Sequence, residues 1–311
     1  MTPGPRHGVG APERILVGGG AGFIGSHLVE RLVAAGSDVD VVDDLSTGSL
    51  AHLAAAREGG GRMRFQNSAV GSEGFAELAR LRRPEVIVNL ASFTPTARTV
   101  ERVHRDLGDC LAVLEAARAC GASRVVTCLP AELLYGDVTA RESPVKEDLV
   151  TEARSVGEIM ARAAVQAHVV HRDRWGIEFV VLAVSAVYGP RQRPEDGIVA
   201  AFARHLAGGE PSLCPGSPSQ VRDFVHVDDV VDALVRATVH SGGLVINIGT
   251  GRATTVADLW GLMAGRRAAF PALEPPRHHD PARLVLSPVR ARIQLGWSPF
   301  TDLEKGLATV G

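Results

Sequence analysis

Three glycines at three-residue intervals, Gly19, Gly22 and Gly25, are the residues of this chain whose spacing most directly indicates a chemistry. They follow the apolar run 15–17 and precede apolar residues at helical spacing, so the segment is predicted to form a strand, a turn and a helix. In such a turn the first glycine makes the tight bend, the second lets backbone approach a pyrophosphate, and the third lets the helix pack on the strand. The helix start would attract the anion through its free N–H groups.

Two acidic residues, Asp43 and Asp44, end a second apolar segment about 20 residues after the glycines, where a carboxylate can accept hydrogen bonds from a ribose hydroxyl. Together with the glycines they predict a dinucleotide site. Two carboxylates would repel a 2′-phosphate and favour NADH over NADPH, unless Ser46, Arg62 or Arg64 accommodates that phosphate.

Strands alternate with helices over the first 188 residues, which predicts an α/β fold with a doubly wound parallel sheet. We expect a disordered tail at 1–12, an NAD(P)-binding Rossmann domain at 13–188 and a substrate-binding lobe at 189–311. Within that lobe, a return strand at about 244–249 would rejoin the sheet. The further strands are predicted at 62–66, 86–91, 124–128 and 179–182, and the two long helices at about 102–119 and 152–175.

Composition excludes several classes of partner. A net charge of −2 and a pI near 6.6 give no electrostatic reason for binding nucleic acid or an anionic membrane. No apolar run approaches the roughly 20 residues that span a bilayer, and the first residues lack a signal core, so we expect a cytoplasmic protein with a small-molecule substrate. The four cysteines form no Cys-x-x-Cys pair, and we expect no metal site.

Several longer motifs carry a family resemblance. They are Gly-Gly-Ala-Gly-Phe-Ile-Gly-Ser-His-Leu (19–28), Val-Asp-Asp-Leu-Ser-Thr-Gly (42–48), Val-Tyr-Gly-Pro-Arg-Gln (187–192), Arg-Asp-Phe-Val-His-Val-Asp-Asp-Val (222–230) and Asn-Ile-Gly-Thr-Gly (247–251). From about 13 to 307 the chain resembles the extended short-chain dehydrogenases/reductases (SDR) of the nucleotide-sugar epimerase/dehydratase type. The resemblance implies that the cofactor, NADPH or NADH, is held by Gly19, Gly22, Phe23, Ile24, Gly25, Asp43, Asp44, Ser46, Asn89 and Ala91.

The resemblance fails at the residues that carry the chemistry. Members of this family use a Tyr-x-x-x-Lys pair, in which the lysine lowers the tyrosine pKa, and a Ser or Thr just past the fifth strand. This chain contains no Tyr-x-x-x-Lys, and its two tyrosines, Tyr135 and Tyr188, match structural positions of the family. Comparison with the family pattern puts Ala131, Val150 and Arg154 at the three catalytic positions, which implies that none of the family triad is present.

The resemblance also implies which residues form the substrate pocket. They are Ser92, Leu129, Pro130, Glu132, Val150 and Ser185. A wall made of Cys128, Leu129, Pro130, Leu133, Leu134 and Val150 would be apolar and would suit a flat aromatic substrate better than a sugar.

This combination is similar to the atypical aromatic-polyketide ketoreductases of the simocyclinone (angucyclinone) type. That similarity implies reduction of a polyketide ketone by NADPH. The proton would come from a phenol of the substrate, with the enzyme acting through proximity. Two alternatives remain open: a nucleotide-sugar epimerase or dehydratase with rerouted acid/base residues, and a catalytically silent dinucleotide-binding protein.

Other charged residues could have either a ligand-binding or a structural role. Arg191 and Arg222 could hold a phosphate or pair with Asp223, Asp228 or Asp229. His226, within an apolar stretch, is expected to be a hydrogen-bonded structural histidine. The family further implies a homodimer, formed by the two long helices and their symmetry mates.

Overall fold

The computed structural model describes residues 12–59, 62–93, 99–208, 214–215, 217–240, 242–265, 270–274 and 281–310. The tail predicted at 1–12 lies outside the described residues except for Pro12, whose carbonyl accepts a hydrogen bond from the Ser37 hydroxyl.

The strands, in chain order, are β1 Arg14–Gly18, β2 Asp38–Asp43, β3 Met63–Asn67, β4 Val86–Asn89, β5 Arg124–Pro130, β6 Glu178–Val184, β7 Ala186–Tyr188, β8 Cys214–Pro215, β9 Val221–Arg222, β10 Phe224–His226, β11 Leu244–Ile248, β12 Thr254–Thr255, β13 Leu273–Glu274 and β14 Arg283–Leu284. Seven of them form one parallel sheet in the order β3-β2-β1-β4-β5-β6-β11. This is the doubly wound Rossmann arrangement that the sequence predicts.

The helices are α1 Phe23–Ala34, α2 Ala54–Glu58, α3 Glu73–Arg82, α4 Val100–Cys120, α5 Ala131–Tyr135, α6 Val156–Trp175, α7 Ile198–Leu206, α8 Val227–Val239, α9 Val256–Ala264, α10 Val289–Leu295 and α11 Leu303–Leu307, with a 3₁₀ turn at Leu50–Leu53. Helices α1 and α8 cover one face of the sheet, and α3, α4 and α6 cover the other. None of the helices within the described residues is long and apolar enough to cross a membrane.

Both faces of the central strands of the sheet are buried, which explains why β1 and β4 are nearly continuous apolar runs. All four residues of β4 are buried, as are Ile15, Leu16 and Val17 of β1. Strands β2 and β3 are added on one side of β1, and β4, β5 and β6 on its other side. The strand order therefore reverses between β1 and β4. A crevice opens at the carboxyl ends of the strands at such a reversal, and ligands of open α/β sheets bind there.

The chain leaves the sheet after β6 and builds a lobe over this crevice. Strand β7 pairs with β10, and β9 pairs with β12 and β14. An aromatic cluster centred on Phe202 and Trp260 forms the core of the lobe. Strand β11 then returns to the main sheet beside β6, with Leu244 opposite Val180.

Candidate active site

A cavity of about 900 Å³ lies between the carboxyl ends of the sheet strands and the lobe. It brings together most of the residues that the sequence analysis assigned to a cofactor. Nine of those ten line it: Gly19, Gly22, Phe23, Ile24, Gly25, Asp43, Asp44, Ser46 and Ala91.

The glycine turn is shaped for an anionic ligand. Gly19 has a φ of 79°, and a Cβ there would lie 2.9 Å from the Ala91 nitrogen; a Cβ at Gly25 would lie 2.0 Å from the Gly19 carbonyl oxygen. A Cβ at Gly22 would meet only the Gly19 oxygen, at 3.3 Å, so its open side faces the cavity. Gly22 also precedes the first turn of α1, which carries no acidic residue. These features fit a pyrophosphate at the helix start.

Asp43 is held in place by backbone. Its two carboxylate oxygens accept hydrogen bonds from the N–H groups of Ala21 at 2.9 Å and Leu45 at 2.8 Å. Burial raises the pKa of Asp43 above its ordinary value. The two hydrogen bonds hold the carboxylate at the end of β2, where a ribose would lie.

Asp44 adds a second carboxylate beside Asp43. Burial opposes its ionisation, but hydrogen bonds from Ser46 and the charge of Arg102 outweigh that effect and lower the pKa of Asp44. Arg64 contacts Asp38 and Asp40 instead, at the amino end of β2, and Arg62 precedes β3 at the same edge of the sheet. Neither of these two arginines lines the cavity.

Asn89 supports the cavity wall without being part of it. It is 1% exposed, donates to the Ser92 hydroxyl at 3.1 Å and accepts from the Ala91 N–H at 3.2 Å. It thereby fixes the turn after β4, whose residues Ala91 and Ser92 do line the cavity.

Helix α4 contributes residues that the sequence analysis missed. The Arg102 guanidinium lines the cavity and donates to Asp106 at 3.0 Å and to the Ala91 carbonyl at 3.4 Å. Asp106 is 1% exposed, and burial raises its pKa to about 6. Arg105 and Asp109 also line this end of the cavity. The i,i+4 spacing of Arg102 and Asp106 is a sequence signal that could have indicated the pair.

The residues assigned to the catalytic positions are not brought together. Ala131 lines the cavity, but Val150 is 89% exposed and the Arg154 side chain 63%, and neither lines it. Both precede α6, which begins at Val156 and not near 152 because the Ser155 hydroxyl caps it by accepting from the Glu158 N–H. Val150 and Arg154 therefore lie outside this helix and do not line the cavity.

The buried acid of α6 near α5 is Glu158, whose carboxylate accepts hydrogen bonds from the Arg154 N–H and the Ser155 hydroxyl and does not line the cavity. Two buried residues of this helix, Gly157 and Ala161, have the four-residue spacing of Tyr-x-x-x-Lys, as do Ala164 and His168 further along. A Cβ added at Gly157 would lie 3.3 Å from Leu133 of α5, so the buried face of α6 packs directly on the helix that follows β5.

Four of the six residues assigned to the substrate pocket line the cavity: Ser92, Pro130, Glu132 and Ser185. Leu129 does not, because successive residues of β5 face opposite sides and Leu129 is fully buried among α4 and α6 side chains. Val150 does not, as described above. The hydroxyl of Ser185 is buried and has no hydrogen-bond partner within the described part of the chain.

The apolar wall of the cavity comes mainly from the lobe. Cys128 and Pro130 contribute from β5, whereas Leu133 and Leu134 do not line the cavity. The lobe supplies Val199, Phe202, Phe224, Val256 and Leu284.

The two tyrosine hydroxyls point away from the cavity. Tyr135 donates to Asn247 at 2.7 Å, and Tyr188 donates to the Leu303 carbonyl at 3.4 Å. Both rings are buried, and burial raises the pKa of each hydroxyl. Neither residue lines the cavity.

Arg191 takes neither of its expected roles. It contacts Glu30 at 2.7 Å and donates to the Ser26 hydroxyl and the His52 carbonyl. Asp223 is occupied by the N–H groups of Thr250, Gly251 and Leu286. Arg222, by contrast, lines the cavity.

His226 is a structural residue, as expected. Its Nε2 lies 3.1 Å from the Thr309 hydroxyl, which donates its own proton to the Gly306 carbonyl. Nε2 of His226 therefore donates, and Nδ1 accepts from the Asp228 N–H at 3.3 Å. Burial lowers the pKa of His226, which favours this neutral form.

Comparisons with known proteins agree with this geometry. The model of the NAD dependent epimerase/dehydratase family matches residues 15–249. A UDP-glucose 4-epimerase of Mycolicibacterium smegmatis is 36% identical over 307 residues, which are 95% of this chain and 96% of that protein. The solved UDP-glucose 4-epimerase of Thermotoga maritima with UDP-glucose has a TM-score of 0.86 and 34% identity, covering 96% of this chain and 97% of that chain. The Thermus thermophilus UDP-glucose 4-epimerase in complex with NAD has a TM-score of 0.85 and 31% identity, with the same coverage.

Proposed function

The chain belongs to the NAD dependent epimerase/dehydratase family, and from this premise we propose that it is an NAD-dependent enzyme acting on a nucleotide-linked sugar. The two halves of the cavity support this proposal. The sheet half has the glycine turn and Asp43 for a dinucleotide, and the lobe half has an apolar wall for a base and Arg222 for a diphosphate. A sugar joined to that diphosphate would lie between the halves, at the end of β5.

NAD, when bound, supplies an acceptor and donor of hydride. The residues that would hold it are the glycine turn, through the backbone N–H groups at the start of α1, and Asp43, through the ribose hydroxyls. The turn after β4, fixed by Asn89 and Arg102, would close the cavity around it and exclude water.

Glu132 carries the chemical part of the proposal. It is the first acidic residue after β5, the strand between β4 and β6, and the residues that follow those strands, Ser92 and Ser185, also line the cavity. The other acidic and basic lining residues that the structure describes lie at the end of β2, on α4, or in the lobe and its connection. We assign to the Glu132 carboxylate the removal of the sugar hydroxyl proton when hydride leaves the same carbon, and the return of that proton in the reverse step.

A second candidate function is the reduction of an aromatic polyketide ketone. It is favoured by one observation: Cys128, Pro130 and Ala131 give the end of β5 no hydroxyl, and both tyrosine hydroxyls point elsewhere. The acid would then be a phenol of the substrate beside its ketone. The resemblance from which this candidate came implies NADPH, which Asp43 and Asp44 disfavour.

The two candidates differ in their dependence on Glu132. Purified protein is tested for turnover of UDP-glucose with NAD⁺ and for reduction of a hydroxylated aromatic ketone with NADH or NADPH. We expect sugar turnover, and we expect Glu132→Gln to lower it by about 10²–10⁴-fold with unchanged binding of NAD and UDP. Glu304→Gln, an exposed change of the same type on α11, is the control.

Other outcomes select the alternatives. Reduction of the ketone at a rate that Glu132→Gln leaves unchanged would identify the polyketide ketoreductase. NAD binding without turnover of either substrate class would identify a catalytically silent dinucleotide-binding protein.

A further inference from the structure

The connection between β7 and α7, residues 189–197, forms a strap along the cavity. It is anchored to α1 on its outer side: the Pro190 carbonyl lies 3.1 Å from Nε2 of His27, and Arg191 contacts Glu30 at 2.7 Å. Residues 192–197 of the strap line the cavity. The strap is therefore fixed to the cofactor half of the molecule while its inner side faces the ligand.

An arginine on this inner side is occupied by a carboxylate of the same strap. Nε and Nη2 of Arg193 donate to the two oxygens of Asp196 at 2.7 and 2.8 Å, a bidentate pair. Both residues line the cavity, and their side chains are 37% and 23% exposed. A backbone hydrogen bond from the Asp196 N–H to the Arg193 carbonyl, 2.9 Å long, closes the turn that brings them together.

The guanidinium fork binds a carboxylate and a phosphate with the same geometry, through two parallel N–H donors. Asp196 therefore occupies the Nε/Nη2 edge of Arg193, one of the two edges through which a guanidinium binds a phosphate group with two donors. Rotation of the Asp196 side chain is enough to free that edge, since the pair is not deeply buried.

We propose that Asp196 is a built-in competitor that holds Arg193 until the diphosphate of the ligand displaces it. This inference rests on the proposed function, because it takes the ligand to be a nucleoside diphosphate compound. It makes Arg193 a ligand-contacting residue and makes Asp196 a residue that selects for strong bidentate anions. A ligand with one weakly basic anionic group gains too little from Arg193 to displace the carboxylate.

A thermodynamic cycle on the two residues tests the proposal. The probe is UDP, titrated calorimetrically into the wild-type protein, Asp196→Asn, Arg193→Ala and the double variant. Exposed ion pairs are weak, so we expect Asp196→Asn to tighten UDP binding by about two- to fivefold. Arg193→Ala should weaken binding, and the double variant should bind UDP as Arg193→Ala does.

Two controls accompany the cycle. Affinity for NAD should be equal in all four proteins, which shows that the cofactor half is intact. Asp232→Asn breaks a comparable pair with Arg236 on α8, away from the residues that line the cavity, and should leave UDP binding unchanged.

Several results would overturn the inference. One is Asp196→Asn binding UDP no better than the wild type. Another is an equal gain in UDP affinity when Asp196→Asn is added to Arg193→Ala. That result would show that the loss of any negative charge at this place tightens UDP binding, whether or not Arg193 is present. If the wild type binds NAD but not UDP, the proposed function fails; the cycle is then repeated with pyrophosphate, and no gain for Asp196→Asn there refutes the competitor itself.

Discussion

The hydroxyl of Tyr135 donates a hydrogen bond to Oδ1 of Asn247, 2.7 Å away, and so joins α5 to β11. Asn247 in turn donates to the Val145 carbonyl at 2.9 Å. One of the two tyrosines of the chain thus serves to connect the return strand with the loop before α6. It is not available to pass a proton to a ligand.

Replacing either tyrosine with phenylalanine should leave turnover within about tenfold of the wild type, much less than the loss of a general acid costs. Tyr135→Phe should also lower the free energy of unfolding by about 1–2 kcal/mol, because Asn247 loses a buried partner. Steady-state kinetics and denaturant unfolding measure the two effects. A thousandfold loss of turnover in a folded, NAD-binding Tyr135→Phe or Tyr188→Phe would make that tyrosine the acid.

Gly22→Val should abolish NAD binding and leave the fold intact. The backbone of Gly22 has a φ of −76° and a ψ of −174°, which any residue adopts, and its open side faces the cavity. The valine side chain would occupy the pyrophosphate site. Gly25→Val is the contrasting variant, since its Cβ would meet the Gly19 oxygen and destabilise the turn itself. Calorimetry that finds wild-type NAD affinity in folded Gly22→Val would refute the assignment.

NADH should bind at least about tenfold more tightly than NADPH, because the 2′-phosphate would lie beside Asp43 and Asp44 and like charges repel. Asp44→Asn should narrow this ratio, chiefly by improving NADPH binding. Asp302→Asn, an exposed change in the lobe, should leave the ratio as it is. Fluorescence titration of both cofactors checks the prediction, and a preference for NADPH in the wild type would contradict it.

Asp106 should make stability depend on pH near 6. Burial raises its pKa from 3.8 to about 6, so the folded protein holds this proton more tightly than the unfolded chain does. Stability therefore falls as pH rises from about 4 through 6. Asp106→Asn should remove this cost. Its free energy of unfolding should exceed that of the wild type by about 1–3 kcal/mol at pH 8, and this difference should shrink toward pH 4.5. Thermal unfolding across this range measures it; a difference that does not vary with pH would show that Asp106 titrates normally.

A homodimer remains a prediction, and α6 offers a surface for it. Val156, Ile159 and Val170 are apolar and 42%, 54% and 44% exposed. Their spacing puts them on one side of the helix. We expect a dimer in sedimentation at micromolar concentration and a monomer for Ile159→Glu. The control variant Leu81→Glu, at a 78% exposed position on α3, should remain a dimer. A wild-type protein that sediments as a monomer would refute the prediction.

The glycine turn and Asp43 could be predicted from sequence because their roles are set by neighbours along the chain. Short spacings determine the strand, the turn and the helix start, and the parallel sheet follows from the alternation of elements. The start of α6 was predicted too early, because the prediction followed apolar periodicity and not the Ser-x-x-Glu capping box at Ser155 and Glu158. It depends on the cap formed by Ser155, which the apolar periodicity does not reveal.

The substrate half of the cavity was predicted less well, for a physical reason. Its wall comes from Phe202, Phe224 and other residues that the folding of the lobe brings together from distant parts of the chain. Arg102 reaches the cavity only because α4 packs beside the turn after β4. The i,i+4 spacing indicates the Arg102–Asp106 pair but not its contact with the cavity. Glu132 and Ser185, by contrast, come within four residues of the ends of predicted strands.

The sheet is completed late in the chain. Strand β11, at its edge, is formed by Leu244–Ile248, and α8, which packs on α1, is formed by Val227–Val239. During synthesis the glycine turn therefore emerges long before these two segments, and an open strand edge at β6 and an uncovered face beside α1 stay exposed until α8 and β11 follow. Such edges and faces are sites of aggregation. Between the synthesis of β6 and that of β11, the nascent chain contains the glycine turn without the strand that completes its sheet.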